Sequence, residues 1–343
     1  MQTKIRDSRI ELLRIVSMVL IVVSHFSLES VNFWQQNGSP MEAVKLMYFD
    51  ALGQPGAIIF FVISGYFYYQ NEQFESQKNK ATHQVWKTWS KTFMYSIIIL
   101  LFAWFLGNRL SLKQIATAIL PFSLNEYWFI TCYIILILLS PWINQVIRSM
   151  SLLEFKNILI LFSILMFPAL LNKDVLNNLL LAFSGYFAGA FIRKYKVEVE
   201  RISNLQLIWI SIAVYIIMLI SIFVSKAIGI STYHSAHFTH FPLSYILAIC
   251  VFVLFLRLPQ FENKLINIFA SGAFAVYLIT VHPLFYTYLW VDIIHIKIYK
   301  NLGLALPFIM IGISILIYII CATIDILISK ILAIIKIREQ LSQ

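Results

Sequence analysis

Charge is scarce in this sequence. Asp, Glu, Lys and Arg make up only 12% of its 343 residues, while 60% are hydrophobic. A soluble domain carries about 25% charged residues, so the balance excludes both disorder and an ordinary soluble fold. Cysteine is nearly missing too. Cys132, Cys250 and Cys321 each fall inside an apolar run, where packing accounts for them better than disulfides or metal. There is no Walker-type phosphate loop, no dinucleotide glycine fingerprint and no G-x-S-x-G nucleophile elbow. Nor is there a pore-like filter or a repeat of about 20–50 residues. A formal charge of +10 suggests nucleic acid, until the charges are placed.

What the chain does have is apolar length. Stretches long enough to cross a bilayer recur from end to end, at about 10–31, 49–69, 88–106, 127–147, 155–172, 176–192, 205–229, 240–257, 265–290 and 302–330. The expected fold is therefore all-α and polytopic, with about ten transmembrane helices in a single integral membrane domain over 1–343. The opening run is too long for a signal peptide and carries Glu11 and Arg14. With the N-terminus in the cytoplasm, nineteen of the 26 Lys and Arg residues fall on the inner side. That positive-inside bias predicts that both termini are cytoplasmic. The basic excess is mostly topology, and no nucleic acid is expected. Of the two longer outer segments, 32–48 and 107–126, the second has a weak helical stripe of Leu112, Ile115, Ala116 and Ile119. It reads either as an interfacial helix or as a loop packed over the bundle.

The first span holds the unusual groups. Arg14 near its inner end can snorkel. His25, eleven residues on and roughly 16 Å further along a helix axis, lies in the outer half, where an ionisable group is costly and usually faces a polar cavity. Glu29 is one turn beyond His25 and can share its face. A carboxylate there would orient the imidazole and stabilise its cation, as a general base requires. The alternative is a histidine that ties two helices together, with Glu29 marking the boundary. Asp50 has the same two readings, acid or boundary charge.

Elsewhere the residues speak mostly of packing. Gly56, Ser64 and Gly65 leave little bulk, so a neighbouring helix can come close. Lys87 and Lys91, four apart, fall on one helix face; they either grip a phosphate or anchor the inner interface. Glu126-Tyr-Trp-Phe opens the fourth span, and its aromatics suit an interfacial belt or a sugar ring. His282-Pro283 puts a second histidine in the outer half, where proline frees a backbone carbonyl and a cavity wall tolerates it best. His234, His237 and His240 lack an accompanying ligand set, so no metal site is expected. His83 and His295 fall in loops.

Taken together, Glu11-Leu-Leu-Arg14 with Ser24-His25, Phe60-Phe-Val-Ile-Ser-Gly-Tyr-Phe67, Tyr127-Trp-Phe-Ile130 with Tyr133, Pro141 and Asn144, and Tyr277-Leu-Ile-Thr-Val-His282-Pro283 resemble the acyltransferase-3 family of integral membrane O-acyltransferases. The likeness covers essentially the whole chain and is closest to the single-domain, surface-polysaccharide members. It implies an enzyme of the bacterial cytoplasmic membrane that moves an acyl group, usually acetyl from acetyl-CoA, onto a hydroxyl of an extracytoplasmic glycan or lipid-linked glycan. It gives Arg14 and His25 the family's essential arginine and histidine roles. Lys87 and Lys91 stand where many members have an Arg-x-x-Arg-like pair.

On that resemblance, Arg14, Lys87 and Lys91 hold the anionic head of acyl-CoA near the inner face, and the thin pantetheine arm reaches toward His25. His25 acts as general base or as transient acyl carrier. Glu29 orients it, and His282 stabilises the oxyanion or holds the acceptor. Expected partners are the glycan acceptor, membrane lipids and polysaccharide-synthesis proteins. The rival from another class is a transporter or flippase of a glycan intermediate, which would not consume a thioester.

Overall fold

The first apolar run forms one continuous helix. Nothing between Ser8 and Trp34 interrupts it, since the segment contains neither proline nor glycine, and α1 (Ser8–Trp34) spans 27 residues. In this computed structural model the described residues are 7–34, 40–70, 72–122, 124, 126–165, 175–230 and 242–341. Among them every regular element is helical.

After α1 come α2 (Pro40–Met47), α3 (Asp50–Tyr68), α4 (Phe74–Phe105) and α5 (Leu112–Ile119). The chain continues through α6 (Trp128–Ser149), α7 (Leu152–Leu165), α8 (Val175–Lys194), α9 (Lys196–Glu200) and α10 (Asn204–Ala227). The C-terminal part holds α11 (Leu243–Leu256), α12 (Lys264–Ser271), α13 (Ala273–Val281), α14 (Pro283–Thr287) and α15 (Leu306–Leu341). Between α14 and α15 the backbone forms a π-turn over Tyr288–Ile293 and two short 3-10 turns.

Seven helical stretches among the described residues are long and apolar enough to cross a membrane: α1, α3, α4, α6, α10, the α12–α13 pair and α15. α11 has 14 residues and is shorter. The expected fifth and eighth spans run into residues 166–172 and 240–241, outside the described part. The expected ninth span, 265–290, is not one rod. It breaks after Ser271 and again at His282. The stripe in the 107–126 segment is a true helix: Ser111 and Gln114 close a capping box at the start of α5, which satisfies two end groups reciprocally.

α3 is the central rod, packed on α1 on one side and on α8 on the other. Small residues permit this. A Cβ at Gly56 would lie 2.7 Å from the Ser17 carbonyl oxygen of α1. A Cβ at Gly65 would overlap the Tyr186 backbone of α8, and one at Gly189 would overlap the Val62 carbonyl of α3. Helices in lipid gain most from such close approach, because lipid tails are as apolar as the side chains. Gly53 lies against Ser24, so α3 also backs α1 immediately beside His25.

Candidate active site

Among the described residues, α1 runs through two polar clusters within the apolar interior. At its N-terminal end Arg14 pairs with Glu11 at 3.0 Å; the Glu11 side chain is buried and the Arg14 side chain about a third exposed (33%). Arg14 is within electrostatic reach of Tyr68 and Tyr133, whose hydroxyls bond to each other. Gln84 Nε2 donates to the Tyr133 hydroxyl at 3.3 Å. Deeper on this side, Asn144 Nδ2 donates to the Tyr68 carbonyl (2.9 Å) and to Gln77 (3.0 Å), and its Oδ1 accepts from the Tyr186 hydroxyl (2.9 Å). Asn144 thereby ties α3, α4, α6 and α8 together.

The lysine pair divides. Lys87 is exposed. Lys91 is held by Asp325 of α15, with its Nζ at 2.7 Å from Oδ1 and 2.8 Å from Oδ2. The Tyr95 hydroxyl, one turn along α4, donates to the same carboxylate at 2.7 Å. The expected grip on a phosphate is thus occupied at Lys91 by an internal anion. Asp325 carries a legible signal that the sequence reading passed over. It is the lone carboxylate in an apolar run, and the rule that singled out His25 applies to it equally.

The second cluster forms where the helix after α13 breaks. Pro283 sits at the first position of α14, where its missing N–H costs nothing, and it pushes His282 into extended backbone (φ −62°, ψ 123°). His282 then caps α14 with its side chain. Nδ1 accepts from the Leu284 N–H at 3.1 Å, so the neutral ring carries its proton on Nε2. That nitrogen faces Ser96 Oγ of α4 at 3.4 Å and Glu126 Oε1 at 3.9 Å. The ring is fully buried and meets Tyr127 edge-on, with centroids 5.8 Å apart.

His25 reaches the same turn from α1. Its ring packs edge-on against Tyr286 of α14 at 5.9 Å between centroids. Its Nδ1 is buried and has no hydrogen-bond partner. Glu29 is half-buried on the same helix, but it is not bonded to that nitrogen. The two histidines, distant in sequence, are therefore joined through the five residues of α14. Their ring nitrogens differ in kind. Both of those on His282 face a partner, whereas His25 keeps a nitrogen able to accept a proton.

Glu126 is the residue the sequence reading left without a role. It is the only acidic residue in the 107–126 segment, and its side chain is buried beside His282. Burial raises its pKa from the ordinary value, and the nearby Thr117 side chain of α5 opposes the shift. Of the other histidines, His83 and His295 are exposed, and His234, His237 and His240 lie outside the described residues. Among the described residues no three His, Cys, Asp or Glu side chains are grouped to hold a metal ion.

Comparison with known proteins gives a family for the chain. The family model described as "Acyltransferase domain" matches residues 7–326, from just before α1 to just past Asp325. No curated protein and no solved structure matches the chain. A match over nearly the entire length, on a helical membrane fold, leads to one conclusion: this chain belongs to the acyltransferase-3 family of membrane acyltransferases.

Proposed function

We propose that the protein is an O-acyltransferase of the bacterial cytoplasmic membrane. It moves an acetyl or similar acyl group from acyl-CoA to a hydroxyl of an extracytoplasmic glycan or lipid-linked glycan. The observation that carries this reading is the first helix. It is unbroken from Arg14 to His25, so it holds a cation and a proton acceptor roughly 16 Å apart. A donor with an anionic head and a long thin arm fits that separation, with its phosphates on the cytoplasmic side and its thioester outward. The loop-charge bias supports both termini in the cytoplasm and ten spans in all.

In the reaction His25 takes the proton from the acceptor hydroxyl as its oxygen attacks the thioester carbonyl. The C–S bond breaks, and the departing thiolate recovers the proton from the imidazolium. His282, whose Nε2 bears hydrogen, stabilises the developing oxyanion or holds the acceptor. Glu29 is the proposed partner of the His25 cation. Arg14 and the exposed Lys87 meet the donor phosphates, and Lys91 joins them when Asp325 releases it. Purified protein incubated with acetyl-CoA and surface glycan should release CoA thiol and leave an ester on the glycan, detected by mass spectrometry before and after base treatment. A protein that moves glycan across a membrane while leaving the thioester intact would be a transporter, and this assignment would fall.

A further inference from the structure

The relay between the two histidines starts outside both of them. Glu126 stands at the end of the segment carrying α5, close to Thr117 of that helix, with its Oε1 at 3.9 Å from His282 Nε2. His282 organises α14 from both of its ends. Nδ1 receives the Leu284 N–H, and its carbonyl accepts the N–H groups of Phe285 (2.9 Å) and Tyr286 (2.8 Å). Tyr286 then lays its ring edge against His25. A five-residue helix supplies little stability of its own, so its orientation depends on what holds its first residue.

We infer that Glu126 is a positioning residue: through His282 it sets the angle of α14, and through Tyr286 the orientation of His25. The groups that hold His282 come from three directions. Ser96 approaches from α4, Tyr127 from the start of α6 and Glu126 from the segment between α5 and α6. Of these Glu126 lies close to Thr117 of α5, and α4, which carries Ser96, also packs on α5. That links a surface helix of the 107–126 segment to the reacting centre, so an acceptor resting on α5 would act on His25 without touching it. Because the role needs an oxygen facing Nε2–H, glutamine should serve nearly as well as glutamate, whereas aspartate is too short and alanine supplies nothing.

The kinetic part of the test rests on the acyl-transfer reading, and the labelling part does not. Full-length protein in detergent is treated with diethyl pyrocarbonate, and modification of His25 is followed by mass spectrometry. Glu126→Ala should raise the rate of His25 modification severalfold, Glu126→Asp by less, and Glu126→Gln should return most of the way to wild type. With acetyl-CoA and glycan, Glu126→Ala should lower kcat about 10²-fold, the size expected when a reacting group is misplaced by about 1 Å. Its KM for acetyl-CoA should not move, and Glu126→Gln should recover most of the loss. If the alanine variant does not accumulate, the aspartate variant decides: faster His25 labelling supports the relay, and wild-type labelling overturns it. Unchanged labelling in Glu126→Ala overturns it directly. Wild-type protein that transfers no acyl group would refute the proposed function alone, because the labelling comparison still tests the positioning.

Discussion

The two ends of α1 are built on opposite principles. The Arg14 end is a set of closed pairs: Arg14 with Glu11, and Lys91 and Tyr95 with Asp325. The His25 end leaves a buried nitrogen without a partner and keeps its nearest polar neighbours at loose distances of 3.4 and 3.9 Å around His282. A buried charge without a counter-ion is strongly unfavourable, and the Arg14 and Lys91 cations are each matched by an internal carboxylate. A neutral imidazole nitrogen left unbonded costs only about 1–3 kcal/mol, which a stable bundle tolerates. Under the proposed function, donor binding at one end is an exchange of partners. Under the same proposal, chemistry at the other end starts at His25, whose Nδ1 has no hydrogen-bond partner.

The sharpest way to break this comparison is His25→Ala. Loss of a general base lowers kcat about 10²- to 10⁴-fold, while acyl-CoA affinity and membrane insertion should stay near wild type. Transfer at the wild-type rate would move the catalytic assignment to His282. Next is Arg14→Ala, expected to weaken acyl-CoA binding by about 10- to 100-fold, the worth of a charged hydrogen bond. Arg14→Lys should restore part of that affinity, as a point charge without the planar fork. Isothermal titration with acetyl-CoA reads both variants, and unchanged affinity would remove Arg14 from the donor site.

Gly65→Ala belongs to neither end. Its new methyl would meet the Tyr186 backbone, and overpacking of that kind costs about 1–3 kcal/mol. Thermal unfolding in detergent should shift downward, with the KM for acetyl-CoA unmoved. An unchanged Tm would mean that α3 and α8 cross less tightly than the structure has them. The smallest effect is expected from Asp325→Asn. It frees Lys91 from its ion pair, so affinity for acetyl-CoA should rise severalfold and depend more steeply on salt. No change in affinity or in salt dependence would show that Lys91 is structural and not a donor contact.

Much of the architecture was legible in the sequence because bilayer thickness dictates helix length. Long apolar runs mark α1, α3, α4, α6, α10 and α15, and the motif around Arg14 and His25 pointed to the family that the comparison then matched. Pro283 was visible too, but the expected ninth span ran through it as one unit, whereas the structure breaks at His282. Two residues escaped for different reasons. Asp325 carries the same signal as His25, a lone ionisable group in an apolar run. Glu126 had no role in the sequence, because nothing in its neighbours reveals a histidine 156 positions later.

That last distance separates the two kinds of information in this molecule. Hydropathy and the eleven-residue step from Arg14 to His25 act along the chain, so the sequence alone determined the helical membrane class and the separation of Arg14 from His25 on α1. Which partner each group meets depends on helices packed side by side. Lys91 and Asp325 are 234 residues apart, and Ser96 and His282 are 186 apart. In a medium where apolar surfaces hardly distinguish neighbour from lipid, those pairings follow from close-fitting glycines and a few buried polar contacts. Only the tertiary structure decided that Lys91 is already paired, that both His282 nitrogens face partners and that His25 retains an open one.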